Sequence, residues 1–211
     1  KFNSRKIGNM SAEQISFDLL ENHPLFIVIS GPSGVGKDAT LQELKKRNLP
    51  LHFIVTATTR APRPGEIDGK DYFFHSKQEF ESLIASGQFF EHSLVYDDLK
   101  GIPMDQVVPA IASGLDVIIR VDVQGAKKLR DLIPDAVLIF LLPSSVEEWN
   151  QRLDNRNTET VQSKKIRMEK VRWELEYLQY FDYMVTNRHN CLGEAVDTIV
   201  EIIHAEHHKT K

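Results

Sequence analysis

Cysteine is almost missing from this chain: Cys191 is the only one in 211 residues, so no intrachain disulfide can staple the fold, and a reducing compartment suits it. It has no catalytic partners beside it in sequence and reads as a packing residue. Long apolar runs are missing too. None approaches the about 20 residues of a membrane-spanning helix, so a soluble protein without a membrane partner is expected. Neither sign of charge prevails. Lys and Arg number 26 and Asp and Glu 30, giving a formal charge of −4 and a pI of about 6.1, which argues against a nucleic-acid backbone as main partner. No internal repeat or low-complexity tract is present. What remains is an ordinary globular composition, 41% apolar and 27% charged, long enough to bury the core of one α/β domain carrying inserted subdomains.

One stretch organises the rest. Leu25 to Ile29 is a continuous, mostly β-branched run of the kind that forms a strand buried on both faces, and a helix-compatible segment opens at Lys37. Between them, Gly31-Pro-Ser-Gly34-Val-Gly36-Lys37 fits the phosphate-binding loop. Glycines let successive N–H groups turn toward phosphate oxygens, the helix N-terminus adds its dipole, and the lysine reaches the outer phosphates. The residue after the lysine is Asp38 instead of the usual Ser or Thr that offers a hydroxyl to Mg²⁺. A carboxylate can still hold the ion, directly or through water, while repelling the phosphates, so weakened nucleotide binding is expected.

Further along, Ala39 to Arg47 should form a helix and His52 to Thr58 a strand, followed by a Pro-, Gly- and charge-rich stretch from Thr59 to Lys70. A Ser76-x-x-Glu79 capping box opens a helix that ends at Gly87, Phe89 to Val95 reads as a strand, and Asp97-Asp98 as a turn. Pro103 starts another helix. Leu115 to Val121 and Ala136 to Leu142 are again continuous apolar runs. Ser144 or Ser145 caps a helix to about Leu153, and a long charged helix spans roughly 160–180. The last strand is Phe181 to Thr186, and Leu192 to His208 an amphipathic terminal helix. Strands alternating with helices predict an α/β doubly wound parallel sheet with ligands at the carboxyl ends of its strands.

The string Thr56-Ala-Thr-Thr-Arg60-Ala-Pro-Arg63-Pro-Gly65-Glu66-Ile-Asp-Gly69-Lys-Asp-Tyr72 is followed in order by Phe90-Glu91, Val121-Asp122-Val-Gln-Gly125, Arg152-Leu-Asp-Asn-Arg156 and Val185-Thr-Asn187. Together with the loop, these resemble the guanylate kinase family over nearly the whole chain, with the Gly-Lys-Asp-Ala loop closest to its plant organellar branch. The resemblance implies a P-loop NTPase-like doubly wound parallel sheet with an inserted GMP-binding lobe and a helical lid. The expected division is a leader at 1–23, core at 24–55, 103–148 and 171–211, GMP lobe at 56–102 and lid at 149–170.

The implied reaction moves the γ-phosphoryl group of ATP to GMP, and to dGMP, with Mg²⁺ as cofactor and these nucleotides as the small-molecule partners. ATP would be held by Ser33, Gly34, Val35, Gly36, Lys37, Asp38 and Ala39, with Asn187 near the adenine. GMP would be held by Thr56 and Glu91 at the base and by Arg60, Arg63 and Tyr72 at the phosphate, with Lys100 and Asp122 beside them. The metal would lie near Asp38 and Asp122. Lys37, Arg60, Arg152, Arg156 and Arg167 would carry the catalytic charge.

The chain departs from the family pattern at three places besides Asp38. Thr56 replaces the commoner Ser and keeps the hydroxyl. Lys100-Gly101-Ile102 lacks the Tyr and the Ser or Thr that many members carry around the glycine, and Arg120 stands where many have the first of two aspartates. A monomer is expected, in a plastid or mitochondrion, with the cytoplasm as the alternative; Lys1 to Gly8, basic and free of acidic residues, could end a transit peptide. A catalytically silent guanylate-kinase-like interaction module is the competing reading, and a kinase of the same fold for another acceptor is a third. His204, His207 and His208 near the chain end read as a tail and not a metal site, and Trp149 and Trp173 as packing residues.

Overall fold

The computed structural model describes residues 23–95, 97–154 and 172–209. Five parallel strands form the larger sheet: β1 (Phe26–Ser30), β2 (Leu51–Phe53), β7 (Asp116–Arg120), β8 (Val137–Pro143) and β9 (Tyr183–Asn187), in the order β2-β7-β1-β8-β9. Both faces of β1 are buried, as its unbroken apolar run requires. Ile27 and Ile29 point into one core with Leu41 and Leu44 of α1 (Lys37–Lys46) and Val196 and Ile199 of the last helix, α6 (Leu192–His207). Val28 points into the other with Val107 of α3 (Met104–Ala112) and Leu129 of α4 (Val123–Leu132). Each such fully buried aliphatic side chain contributes about 1.5–3 kcal/mol. Helices on both sides of a parallel sheet make this the expected doubly wound α/β fold.

A second sheet of four strands, in the order β4-β3-β6-β5, is built from β3 (Ala57–Thr58), β4 (Phe73–Phe74), β5 (Phe89–Val95) and β6 (Asp98–Pro103). Helix α2 (Lys77–Ala85) adjoins it, and the predicted capping box is formed: Ser76 Oγ accepts from Glu79 N at 3.2 Å, and Glu79 Oε2 accepts from Ser76 N at 2.8 Å.

Two sequence expectations are corrected. The run His52 to Thr58 is two strands in two sheets. Its first part pairs with β7, Ile54 N–H still bonds Ile118 O at 3.0 Å, and after Thr56 the chain joins β6 and β4. Side-chain alternation carries no mark of a change of hydrogen-bonding partner. Asp98 belongs to β6, opposite Val95, so of the expected pair only Asp97 is a turn residue. Helix α1 begins at Lys37, where the helix-compatible segment opens, with Gly36 at φ 103° as its N-cap. Helix α5 (Val146–Asp154) carries the first residues of the expected lid; 155–171, with Arg156 and Arg167, lie outside the described residues. Of the long charged helix, 172–176 are helical and Tyr177–Tyr180 form a 3₁₀ turn.

Candidate functional site

The phosphate loop leaves the carboxyl end of β1 and closes on α1. Its shape is held from outside by side chains that take its carbonyls. Trp149 Nε1 donates to Ser33 O at 2.9 Å, and Asn187 Nδ2 and Arg152 Nη1 donate to Val35 O at 2.8 and 3.0 Å. Lys37 Nζ takes the carbonyls of Gly31 and Pro32, at 2.5 and 3.1 Å. Gly36 has no side chain to cap α1, which leaves the first amides of the helix open to an anion. A Cβ there would also lie 2.6 Å from Asn187 Nδ2. Ala39 is exposed on the first turn. Burial pulls the Lys37 ammonium down to about 8, against the opposing pull of Glu174.

Beside the loop lies an open cleft between the carboxyl ends of the larger sheet and the smaller sheet. It brings together Lys37, Thr56, Tyr72, Glu91, Lys100 and Asp122, all expected from the sequence, and adds Ser93, Gly101, Ile102, Val121 and Arg120. Thr56, Glu91 and Ser93 are each 6% exposed. Burial raises the Glu91 carboxyl, and Lys128 Nζ, 3.0 Å from Oε1, opposes the rise. Burial lowers the Lys100 ammonium, opposed by Asp122. Asp122 caps α4, with Oδ1 accepting from Gly125 N at 3.0 Å. Gly125 permits this close approach: a Cβ there would meet Asp122 Oδ1 at 3.2 Å and Glu91 Oε2 at 3.3 Å.

Asp38 and Arg120 meet at the mouth of the loop. Arg120 Nε lies 2.6 Å from Asp38 Oδ1, and the guanidinium stacks on Tyr72 with Cζ 4.0 Å from the ring centre. The Tyr72 hydroxyl accepts from Arg120 Nε at 3.1 Å and donates to Asp38 Oδ1 at 3.2 Å. Burial would raise the Asp38 carboxyl, but Arg120 and Lys37 outweigh it and hold it below its ordinary value.

Arg60 and Arg63 do not line the cleft. Arg60 forks onto Glu66, at 3.0 and 2.9 Å, and lies over Tyr72 at 5.3 Å; Arg63 donates its backbone N–H to Glu66 Oε2 at 2.7 Å. Burial lowers the Arg60 pKa, but Glu66 outweighs it and the net shift is upward. Arg152 sits behind the loop, on the carbonyls of Val35 and Asn187 and the Glu148 carboxylate.

Sequence reasoning had no signal for the Trp149 contact or for Lys128, which lies on the charged face of α4. Asp38 and Arg120 stand apart in the sequence as two departures from the family pattern, of opposite charge, and the fold pairs them.

Residues 24–206 match the Guanylate kinase family model. The chain is 46% identical over 184 residues to "Guanylate kinase 2, chloroplastic/mitochondrial" of Oryza sativa subsp. japonica, covering 87% of this chain and 65% of that protein. It is 42% identical over 185 residues to the guanylate kinase of Halalkalibacterium halodurans, covering 88% and 90%. The crystal structure of guanylate kinase from Anaplasma phagocytophilum superposes with a TM-score of 0.72 at 29% identity, covering 90% of each chain. With a phosphate loop and a second, carboxylate-bearing cleft side by side in that fold, the chain belongs to the guanylate kinase family and is a nucleoside monophosphate kinase.

Proposed function

We propose that the protein transfers the γ-phosphoryl group of ATP to GMP, and to dGMP, releasing ADP and the corresponding diphosphate. The observation that carries this reading is a buried carboxylate, Glu91, and a buried hydroxyl, Thr56, in the same cleft as Lys37 of the phosphate loop. Guanine offers N1–H and N2–H₂ as adjacent donors and O6 as acceptor, which suits a carboxylate and a hydroxyl. Adenine has the opposite pattern and would offer the buried Glu91 carboxylate no donor beyond Lys128, a mismatch on which sites of this kind discriminate strongly.

In this reading the loop amides and Lys37 hold the triphosphate, with Ser33 to Ala39 around it and Asn187 near the adenine. Arg60, Arg63, Tyr72 and Lys100 take the acceptor phosphate, with Asp122 at its flank. Arg60 must leave Glu66 at least in part to do so. In this proposal 56–102 form the acceptor lobe and 149–170 the lid, with Arg156 and Arg167 as its added positive charge, while Arg152 supports the loop through the Val35 carbonyl. No general base is needed, because the acceptor is an ionised phosphate. Positioning and positive charge supply the catalysis, and closure of the cleft keeps water from the ATP.

Mg²⁺ is commonly held by one or two carboxylates and the substrate phosphates, and it neutralises charge on the transferred group. Asp38 and Asp122 would hold the ion there; among the described residues no group of three or more His, Cys, Asp or Glu side chains forms another candidate metal site. The protein is proposed to act as a monomer. The rice relative's name extends the proposal to residence in a chloroplast or mitochondrion.

ADP release measured with GMP, dGMP, AMP, CMP and UMP tests the reading. GMP and dGMP should turn over and the others hardly at all. Preference for a non-guanine acceptor would overturn the base assignment, and absence of turnover with any of them would mark a silent interaction module.

A further inference from the structure

Arg120 is 9% exposed, yet it faces the open cleft. A guanidinium that deep in a protein is normally surrounded on every nitrogen. Here Nε is shared between the Asp38 carboxylate and the Tyr72 hydroxyl, and Nη2 donates to the Asp71 carbonyl. Nη1 has no hydrogen bond among the described residues. Tyr72 fixes the plane, with its ring 4.0 Å beneath Cζ. The fork is therefore anchored through Nε and Nη2 and unbonded at Nη1, and Arg120 lines the same cleft as Lys37 and Lys100. Asp38, which supplies the anchoring charge, feels the field of Lys37 and Arg63 as well. The fork thus shares its cleft with two further cations, Lys37 and Lys100, and with the carboxylates of Glu91 and Asp122.

We propose that Arg120 is a further binding residue for the phosphate of the acceptor nucleotide, and that Asp38 is the residue that positions it. The ligand class is a dianionic phosphate monoester, bound through Nη1 while Asp38 and Asp71 hold the rest of the fork in place. Arginine suits this better than lysine, because one planar group can serve an anchor and a ligand in different directions. The proposal rests on the reading of this cleft as the acceptor site. It also explains why an acidic residue is tolerated at the mouth of a phosphate loop: most of its charge is spent on Arg120.

The test is calorimetric binding of GMP and of guanosine, which lacks the phosphate, to wild type, Arg120→Met, Asp38→Ala and the double variant. Arg120→Met should weaken GMP roughly tenfold to a hundredfold and leave guanosine unchanged, the range for one hydrogen bond to a charged group. Asp38→Ala should weaken GMP several-fold, with no further loss when it is added to Arg120→Met, and Asp38→Asn, which keeps an acceptor for Nε, should recover most of it. If Arg120→Met does not fold, Arg120→Lys should show the same phosphate-selective loss. An unchanged ratio of GMP to guanosine affinity at position 120, tighter GMP binding in Asp38→Ala, or additive losses in the double variant would each overturn the proposal. If wild type itself binds neither GMP nor guanosine, the acceptor reading falls and takes this one with it. GMP turnover by wild type with a flat ratio removes this proposal alone.

Discussion

Replacing Lys37 by Met should change the way stability depends on pH, because the lysine is held charged at a cost. In the unfolded chain it keeps its proton up to its ordinary value of 10.5, and in the folded chain only up to about 8, mainly because burial strips water from the ammonium. Between those values unfolding takes up a proton, so wild-type stability climbs as pH rises through that window, and below about pH 8 the whole cost is present. The fall from 10.5 to about 8 corresponds to about 3 kcal/mol at 1.36 kcal/mol per tenfold change in proton affinity, and screening by water in the open cleft reduces it to about 2 kcal/mol. Losing the bonds to the Gly31 and Pro32 carbonyls shifts the variant by about 1 kcal/mol at every pH and does not enter the slope. Urea unfolding of both proteins without nucleotide, from pH 7 to 10.5, should show wild type gaining about 2 kcal/mol on the variant. A flat difference refutes the reasoning from burial. Undiminished ATP turnover in the variant refutes the assignment of the loop.

Two further outcomes follow from the site. Glu91→Gln should raise the GMP KM roughly a hundredfold or more, with little change in the ATP KM, since the amide replaces one required acceptor by a donor. In wild type the GMP KM should climb as pH falls through the raised pKa of this carboxyl, and equal effects on both substrates would contradict its role at the base. Gly36→Ala should cost about 2 kcal/mol in thermal unfolding, because the new methyl meets Asn187 Nδ2 at 2.6 Å on a backbone at φ 103°; a neutral substitution would show that the contact yields easily.

The parallel sheet was legible because its strands are buried on both faces. Runs such as Ile27 to Ile29 and Val117 to Ile119 have no polar member to confuse the period. The phosphate loop was legible because its function dictates glycine positions. What escaped was the place where tertiary contact overrides local pattern, the change of sheet after Thr56. At the site, Thr56, Tyr72, Glu91 and Lys100 could be assigned through the resemblance, and they do share one cleft. Arg60 and Arg63 stand apart from it, held by Glu66, an ion pair that no residue spacing announces. Arg152 was expected to act as a lid charge. Its position behind the loop depends on the packing of α5 against β8, which the sequence does not encode in any one motif.

The chain has two indoles, and the fold gives them different surroundings. Trp173 is 39% exposed and leans on Tyr177, while Trp149 is 3% exposed with its N–H on the Ser33 carbonyl. An anion entering the loop changes the electric field at Trp149, whereas Trp173 is partly exposed and packs on Tyr177. Ultraviolet emission from the unlabelled enzyme is therefore a native gauge of donor-site occupancy, with Trp173 as its built-in reference.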